Sequence, residues 1–215
     1  MSLSKVIEVA RGELGYCEKP VNLTKYGFWY GVDGVPWCVI FLCWVFDRAG
    51  ERMAFFGGGK TASCSILLRW YKEQGLTVPV DDVQTGDIVI LNFHGTKDTE
   101  HCGLVVETWH RKTGELTFVD TIEGNTSPSD GSQSNGGMVC LKSRYPSQIV
   151  AVCRPQYQSE PVTVDDITGH WAEESIRWCM EHGLMKGYPD GSFKPTQGVT
   201  RAELATVLKR MEESK

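Results

Sequence analysis

The sequence predicts an α+β domain followed by a small all-α unit, and three observations carry that prediction. Up to Gly75, apolar residues recur at helical spacing in runs that end at glycines. From Asp87 to Cys153 the pattern becomes short runs rich in Val, Ile, Leu and Phe, separated by Gly, Asn and Asp turns. At Arg154-Pro-Gln-Tyr-Gln-Ser-Glu-Pro161 two prolines among polar residues read as a linker. Helices first and strands second favour helices packed on an antiparallel sheet. The expected division is residues 1–154, a linker over 155–161, and a second unit over 162–215.

Val6, Ile7, Val9, Ala10 and Leu14 mark one face of a first helix, stopped by Gly15. A second helix is expected over 38–49 with Gly50 as its break, and a third over 65–74 closed by Gly75. Strands are expected over 87–93, 102–107, 116–120, 137–141 and 148–153. The tail holds two helical segments, 172–181 and 201–212, around the turn-rich Lys186-Gly-Tyr-Pro-Asp-Gly-Ser-Phe193. Thr200 is a good N-cap for the last one, and Glu203 completes a capping box.

Composition narrows the function. Of 215 residues, 41% are hydrophobic and 23% charged, the balance of a globular chain rather than a disordered one. Lys and Arg number 22 against 27 Asp and Glu, a formal charge of −5 without any dense basic stretch, which argues against a nucleic-acid binder. The longest apolar run, Val39 to Phe46, is far short of the ~20 residues of a membrane span. The first residues mix charged and apolar groups and lack the apolar stretch of an export signal. There are 8 cysteines and no CxxC pair, so a zinc ribbon or thioredoxin-like motif is not expected. Several lie in apolar runs, where a free thiol behaves as a small hydrophobe, so most should be reduced and buried.

One cysteine stands apart. Cys38 follows Pro36-Trp37 and opens an apolar helix, where the positive end of the helix dipole stabilises a thiolate. Composition alone would read it as a buried Cys opening a core helix. A nucleophilic thiol needs a general base in reach, most often histidine. His101, at the entry of a strand, is the first choice, with His94 and His110 as rivals near other strand ends. An acceptor that orients the base is offered by Glu123 or Asn125 in Thr121-Ile-Glu-Gly-Asn-Thr126. Residues two apart in an extended segment share a side, so both can point at one site. Ala54-Phe-Phe-Gly-Gly-Gly-Lys60-Thr61 meets a relaxed P-loop pattern, but a helix exit precedes it where a strand is required, so a glycine hinge is the better reading.

These motifs resemble a known family. Gly34-Val-Pro-Trp-Cys-Val-Ile-Phe-Leu-Cys-Trp44, Gly86-Asp-Ile-Val-Ile90, His101-Cys-Gly-Leu-Val-Val106 and Glu123-Gly-Asn-Thr-Ser127 occur in the order seen in CHAP domains, the cysteine- and histidine-dependent amidohydrolases and peptidases. The resemblance covers roughly residues 5–153 and implies a papain-like fold and hydrolysis of peptidoglycan amide bonds. Matched by position it implies Cys38 as nucleophile, His101 as base, and Glu123 and Asn125 as polar partners. Cys102 departs from the pattern, which has an aliphatic residue there; filling space beside the histidine is its expected role. Some relatives bind calcium just before the nucleophile. Asp33 is the one carboxylate among Asn22, Thr24, Tyr26 and Asp33, so a calcium expectation rests on it, and no other cofactor is implied.

The tail is similar to an S-layer homology module over residues 162–213, through Val164-Asp-Asp-Ile-Thr-Gly-His-Trp171, Gly183-Leu-Met-Lys-Gly-Tyr-Pro-Asp-Gly-Ser-Phe-Lys-Pro195 and Val199-Thr-Arg-Ala-Glu203. Such modules hold proteins on secondary cell-wall polysaccharide, usually in several copies, and Trp171 and Arg201 match positions that contribute to glycan binding. An aromatic ring covers a sugar face and a guanidinium pairs with a carboxylate. A single copy would gain avidity from self-association through the module. The expectation is thus a peptidoglycan hydrolase, either amidase or endopeptidase, anchored to wall polymer. Without an export signal it would reach the wall as a phage or prophage endolysin does, through a membrane lesion; a truncated exported wall enzyme would look the same. The alternative is a non-catalytic wall-binding protein with a CHAP-like scaffold, and a third reading passes the acyl group to another amine instead of water.

Overall fold

The computed structural model describes residues 3–129, 131–157, 165–188 and 191–213. The chain divides into two compact units, 1–158 and 159–215. The first is a mixed α/β fold with helices preceding an antiparallel sheet: α1 (Leu3–Gly12), α2 (Lys25–Tyr30), α3 (Cys38–Arg48), α4 (Arg52–Phe56) and α5 (Cys64–Glu73) come before β1 (Thr77–Val78), β2 (Ile88–Leu91), β3 (His101–His110), β4 (Leu116–Thr126), β5 (Met138–Arg144) and β6 (Ile149–Cys153). The strands lie in the order β1-β6-β2-β3-β4-β5, with every neighbouring pair antiparallel. No described helix is long and apolar enough to cross a membrane.

Helix α3 is the hub. It is apolar nearly all round, with Cys38 through Cys43, Val45 and Phe46 buried, as a helix enclosed by its neighbours must be. The alternation of β2 and β3 supplies its floor. Ile88, Ile90, Cys102, Leu104 and Val106 join the core with α3, while Val89, Leu91 and Val105 face a second apolar cluster on the other side of the sheet. The approach of α3 to β4 is set by Gly124, where an added Cβ would lie 2.6 Å from Phe41 Cβ and 2.7 Å from the Trp37 ring. Gly124→Ala is therefore expected to overpack this contact and cost about 1–3 kcal/mol in urea denaturation. Unchanged stability would show that α3 can slide away from the sheet without penalty.

Some elements exceed what the sequence pattern suggests. Strand β3 runs past 107 and β4 past 120, and the hairpin between them is closed by Arg111 N–H to Glu115 O at 2.9 Å, where backbone pairing continues although the side chains turn polar. The short helices α2 and α4 carry too few turns for a periodic signal; α2 is instead defined by its caps, Thr24 Oγ1 accepting from Gly27 N–H and Gly31 at φ 94°. The linker expected at 155–161 starts later. Arg154 forms two bonds to Asp87, at 3.0 and 2.8 Å, Tyr157 donates to Gly86 O at 2.6 Å, and its ring stacks on Phe46. Residues 158–161 and the expected start of the second unit, 162–164, lie outside the described residues.

The second unit contains a 3₁₀ turn over Asp165–Ile167 and helices α6 (Glu173–Glu181) and α7 (Arg201–Glu213), with no strand among its described residues. The Thr200–Glu203 capping box is present: Glu203 N–H reaches Thr200 Oγ1 at 3.2 Å, and Thr200 N–H reaches Glu203 Oε2 at 2.7 Å. Asp166 accepts from Phe193 N–H and Lys194 N–H, fastening the loop between the helices to the turn.

Candidate functional site

Cys38 is the first residue of α3, whose N-cap is Trp37. An indole supplies no capping oxygen, and none of the first-turn amides is bound by the Trp37 side chain. The ring is used elsewhere: it stacks on Tyr26 at 5.3 Å, and its Nε1 donates to Glu18 Oε2 at 2.7 Å. The helix start thus keeps amide donors and the positive dipole end for whatever anion forms at Cys38, which is 5% exposed.

Around Cys38 lie two more thiols and an imidazole. Cys64, the first residue of α5, places its Sγ 3.8 Å from Cys38 Sγ. Strand alternation brings Cys102 to the same side of the sheet as Leu104 and Val106, and the three sulfurs lie within 4.8 Å of one another. Hydrogen bonds from Cys102 and Cys64 hold Cys38 well below the usual thiol range against the opposing effect of burial, and His101 adds to this. All eight cysteines are free; six of them are buried, Cys179 is partly buried and Cys17 is exposed.

His101 is fully buried at the start of β3. Its Nε2 is 3.1 Å from Glu123 Oε2, an ion-pair contact whose angle is too bent for a good hydrogen bond. Nδ1 makes no hydrogen bond of good geometry, yet His101 and Cys38 are near enough to shift each other's proton affinity. Burial alone would depress the imidazole, but Cys38 and Glu123 outweigh it and raise it to about 9. The rivals stand elsewhere. His94 is exposed and bonded to Glu100 at 2.6 Å, and His110 is at the opposite end of β3.

Glu123 is the best-held side chain of the group. It has no exposed surface and takes Arg144 Nε on Oε1 at 2.7 Å and Arg144 Nη2 on Oε2 at 2.5 Å, while Thr121 Oγ1 donates to Oε1 at 2.6 Å. Burial pushes this carboxyl up, but Arg144 and then His101 prevail and hold it at about 2. Gly103 makes room for it: a Cβ there would come 2.8 Å from Glu123 Cγ.

The structure gathers Cys38, His101 and Glu123 and gives Asn125 a different place. The β4–β5 register shifts between Glu123 and Thr126, and Asn125 adopts φ 61°, so the two-residue alternation expected to align Glu123 and Asn125 is broken by a bulge. Asn125 Nδ2 instead donates to Ser134 O at 3.3 Å. Arg144 and Cys64 are the members that sequence reasoning missed; Cys102 was expected to fill space beside the histidine, and its alternation with Leu104 and Val106 was the available signal for its side of the sheet. Asp33 Oδ1 accepts from Thr24 N–H and Gly34 N–H, both at 3.1 Å, which suits a loop clamp. Calcium takes six to eight oxygens; among the described residues Asp33 belongs to no cluster of three or more His, Cys, Asp or Glu side chains, and Asn22 Oδ1 is buried without a hydrogen-bond partner.

In the second unit Trp171 is 92% exposed, so it is not core, and its ring lies 5.6 Å from that of His170. Arg201 is exposed at the first position of α7. A separate groove of about 340 Å³ is lined by residues including Lys186, Tyr188, Phe193, Val199 and Arg210; Trp171 and Arg201 lie outside it.

Comparison with known proteins bears on this unit. Residues 165–205 match the S-layer homology domain. The second unit carries an S-layer homology domain. Similar stretches occur in cell surface glycoprotein 1 of Acetivibrio thermocellus (59% identical over 39 residues, 18% of this chain and 2% of that protein). They occur also in the outer membrane protein SlpA of Deinococcus radiodurans (41% over 51 residues, 24% and 4%) and the cellulosome-anchoring protein of A. thermocellus (40% over 57 residues, 26% and 13%). The chain therefore spans only a small part of these relatives. The S-layer homology domain and these relatives point to the cell surface or wall. No solved structure matches the chain.

Proposed function

We propose that the chain is a cell-wall amidohydrolase: a CHAP-type, papain-like catalytic unit that cleaves a peptidoglycan amide, held on secondary wall polysaccharide by its S-layer homology domain. The observation that carries this reading is Cys38 at an uncapped helix start, beside a buried imidazole backed by the Glu123–Arg144 pair. Cys38 thiolate attacks the amide carbonyl carbon, and the oxyanion that forms faces the free amides of α3. His101 gives its proton to the leaving amine, leaving a thioester on Cys38. His101 then takes a proton from water as it attacks the thioester, releasing the carboxylic acid and restoring the Cys38 thiolate beside a protonated His101. Glu123, with Oε2 3.1 Å from Nε2, contributes a negative charge that favours the protonated imidazole.

Mass spectrometry of soluble fragments after incubation with purified Gram-positive peptidoglycan tests this reading. New fragments missing with Cys38→Ala support it, and their termini separate a muramoyl-alanine amidase from an endopeptidase. No fragments from several wall chemistries would end it.

A non-catalytic wall-binding protein is the second reading, favoured by the near-complete burial of Cys38. Because Cys38 is held below the usual thiol range, the hydrolase reading expects iodoacetamide to label it near neutral pH faster than any other cysteine of the folded chain, the exposed Cys17 included. A Cys38 inert until denaturation would favour the scaffold.

For the anchor, Trp171 and Arg201 are the proposed glycan contacts. Trp171→Ala is expected to weaken co-sedimentation with wall fragments by about 3- to 10-fold, the worth of one aromatic contact. Retention of full binding would move the glycan to the groove between Tyr188 and Arg210. Leu204, Leu208 and Met211 remain exposed along α7, and a second copy of this unit is the partner we assign to that stripe.

A further inference from the structure

We infer that Cys38, Cys64 and Cys102 form a binding site for a thiophilic divalent metal ion of the zinc and cadmium kind, placed so that a bound ion covers the Cys38 sulfur. The three thiols come from three separate elements, the starts of α3 and α5 and the second residue of β3, so no local sequence motif brings them together. Their spacing is that of a coordination sphere. Sulfurs bound tetrahedrally to zinc at about 2.3 Å are about 3.8 Å apart; Cys38 and Cys64 are 3.8 Å apart, and all three sulfurs fall within 4.8 Å. Closing the wider edges needs shifts of less than about 1 Å, within the reach of a χ1 adjustment.

The surroundings suit the charge. Three thiolates around a divalent ion leave a net negative charge, and two of the ligands stand at the starts of helices of eleven and ten residues, whose positive ends face it. The thiol protons still present leave to solvent as the ion binds. Access exists on one side: Cys38 and Cys64 keep slight exposure while Cys102 has none, so the ion enters past the first two and keeps a fourth position for water. The other buried cysteines lack this arrangement; Cys43 is bonded to Thr61 O, and among the described residues no other cluster of three ligand side chains occurs. The inference does not depend on hydrolysis, since a chain that cleaves nothing would still hold the ion. In a working hydrolase the bound ion blocks the nucleophile.

The test is titration of the reduced full chain with Cd²⁺, read by sulfur-to-cadmium charge-transfer absorption, with Zn²⁺ as competitor and alkylation of Cys38 followed by mass spectrometry. One equivalent per chain, displacement by Zn²⁺ and suppressed Cys38 labelling are expected. Cys64→Ala and Cys102→Val should each weaken binding by more than about 100-fold, beyond the loss typical of outer-sphere changes, while Cys179→Ser should not. Circular dichroism checks that each variant folds; if Cys102→Val does not, Cys64→Ala decides alone. An absent band, or one of unchanged affinity in Cys64→Ala, overturns the site. Because the readout is optical and uses no substrate, its failure is separate from failure of the hydrolase reading.

Discussion

On the proposed hydrolase reading, Cys38→Ala is expected to lower fragment release from peptidoglycan by about 10⁴-fold or more while leaving the fold in place. The size follows from what is lost: without the sulfur no thioester forms, and only positioning and the oxyanion-binding amides remain to act on water. The fold should survive because the change deletes one buried atom at the end of α3, whose packing rests on Val39 to Phe46. A cost near 1 kcal/mol is the ordinary scale for such a change. The informative comparison is therefore rate against melting temperature. A variant that melts like the parent and still cleaves would remove Cys38 from the mechanism.

The second large effect concerns Arg144. Replacing it by Met deletes both bonds to Glu123 and leaves a buried carboxylate with Thr121 and His101 as its remaining partners. Breaking a buried pair from one side costs about 3–5 kcal/mol, or roughly 6–20 °C in Tm for a domain of this size. The pH dependence identifies the cause. In the parent, Glu123 is held at about 2, below its unfolded value, so its stabilising contribution is present above the ordinary carboxylate range and is lost as pH falls toward 2. In Arg144→Met, burial acts on the carboxyl with only His101 and the Thr121 hydroxyl to oppose it, and its protonation in mild acid relieves the buried charge. The stability gap between parent and variant should narrow between pH 7 and pH 4 in urea denaturation. A gap independent of pH would assign the loss to packing of Arg144 over the Phe93 ring, 4.7 Å away.

How much of this was legible depended on the distance over which each signal acts. Cys38 could be read because a thiol after Pro-Trp and before an unbroken apolar helix is a local pattern, and His101 because it opens a strand whose alternation is local too. Arg144 could not. It is 21 residues from Glu123, and in the β4–β5 register it stands opposite Val119, so only its length brings the guanidinium back along the strand to the carboxylate. Asn125 misled because period-two reasoning has no means of seeing a bulge. Cys64 and Cys102 read singly as core residues; their meeting with Cys38 depends on how three elements pack. The fold class was clear, but the junction after Cys153 was not, because the composition of Arg154–Tyr157 is that of a linker while Asp87, Gly86 and Phe46 hold it in place.

The position of Arg144 has a consequence for heat. Strand β5 is the last of the sheet, and on its outer side residues 15–18 bond to its start at 137–139, while Arg144 stands at its far end. Edge strands fray at lower free energy than the core opens. The residue that anchors Glu123, and through it the aim of the imidazole, thus rides on the part of the sheet that loosens first. Warming should disorganise the histidine while α3 and the central strands remain packed, and on the proposed hydrolase reading the temperature of inactivation should lie below that of unfolding.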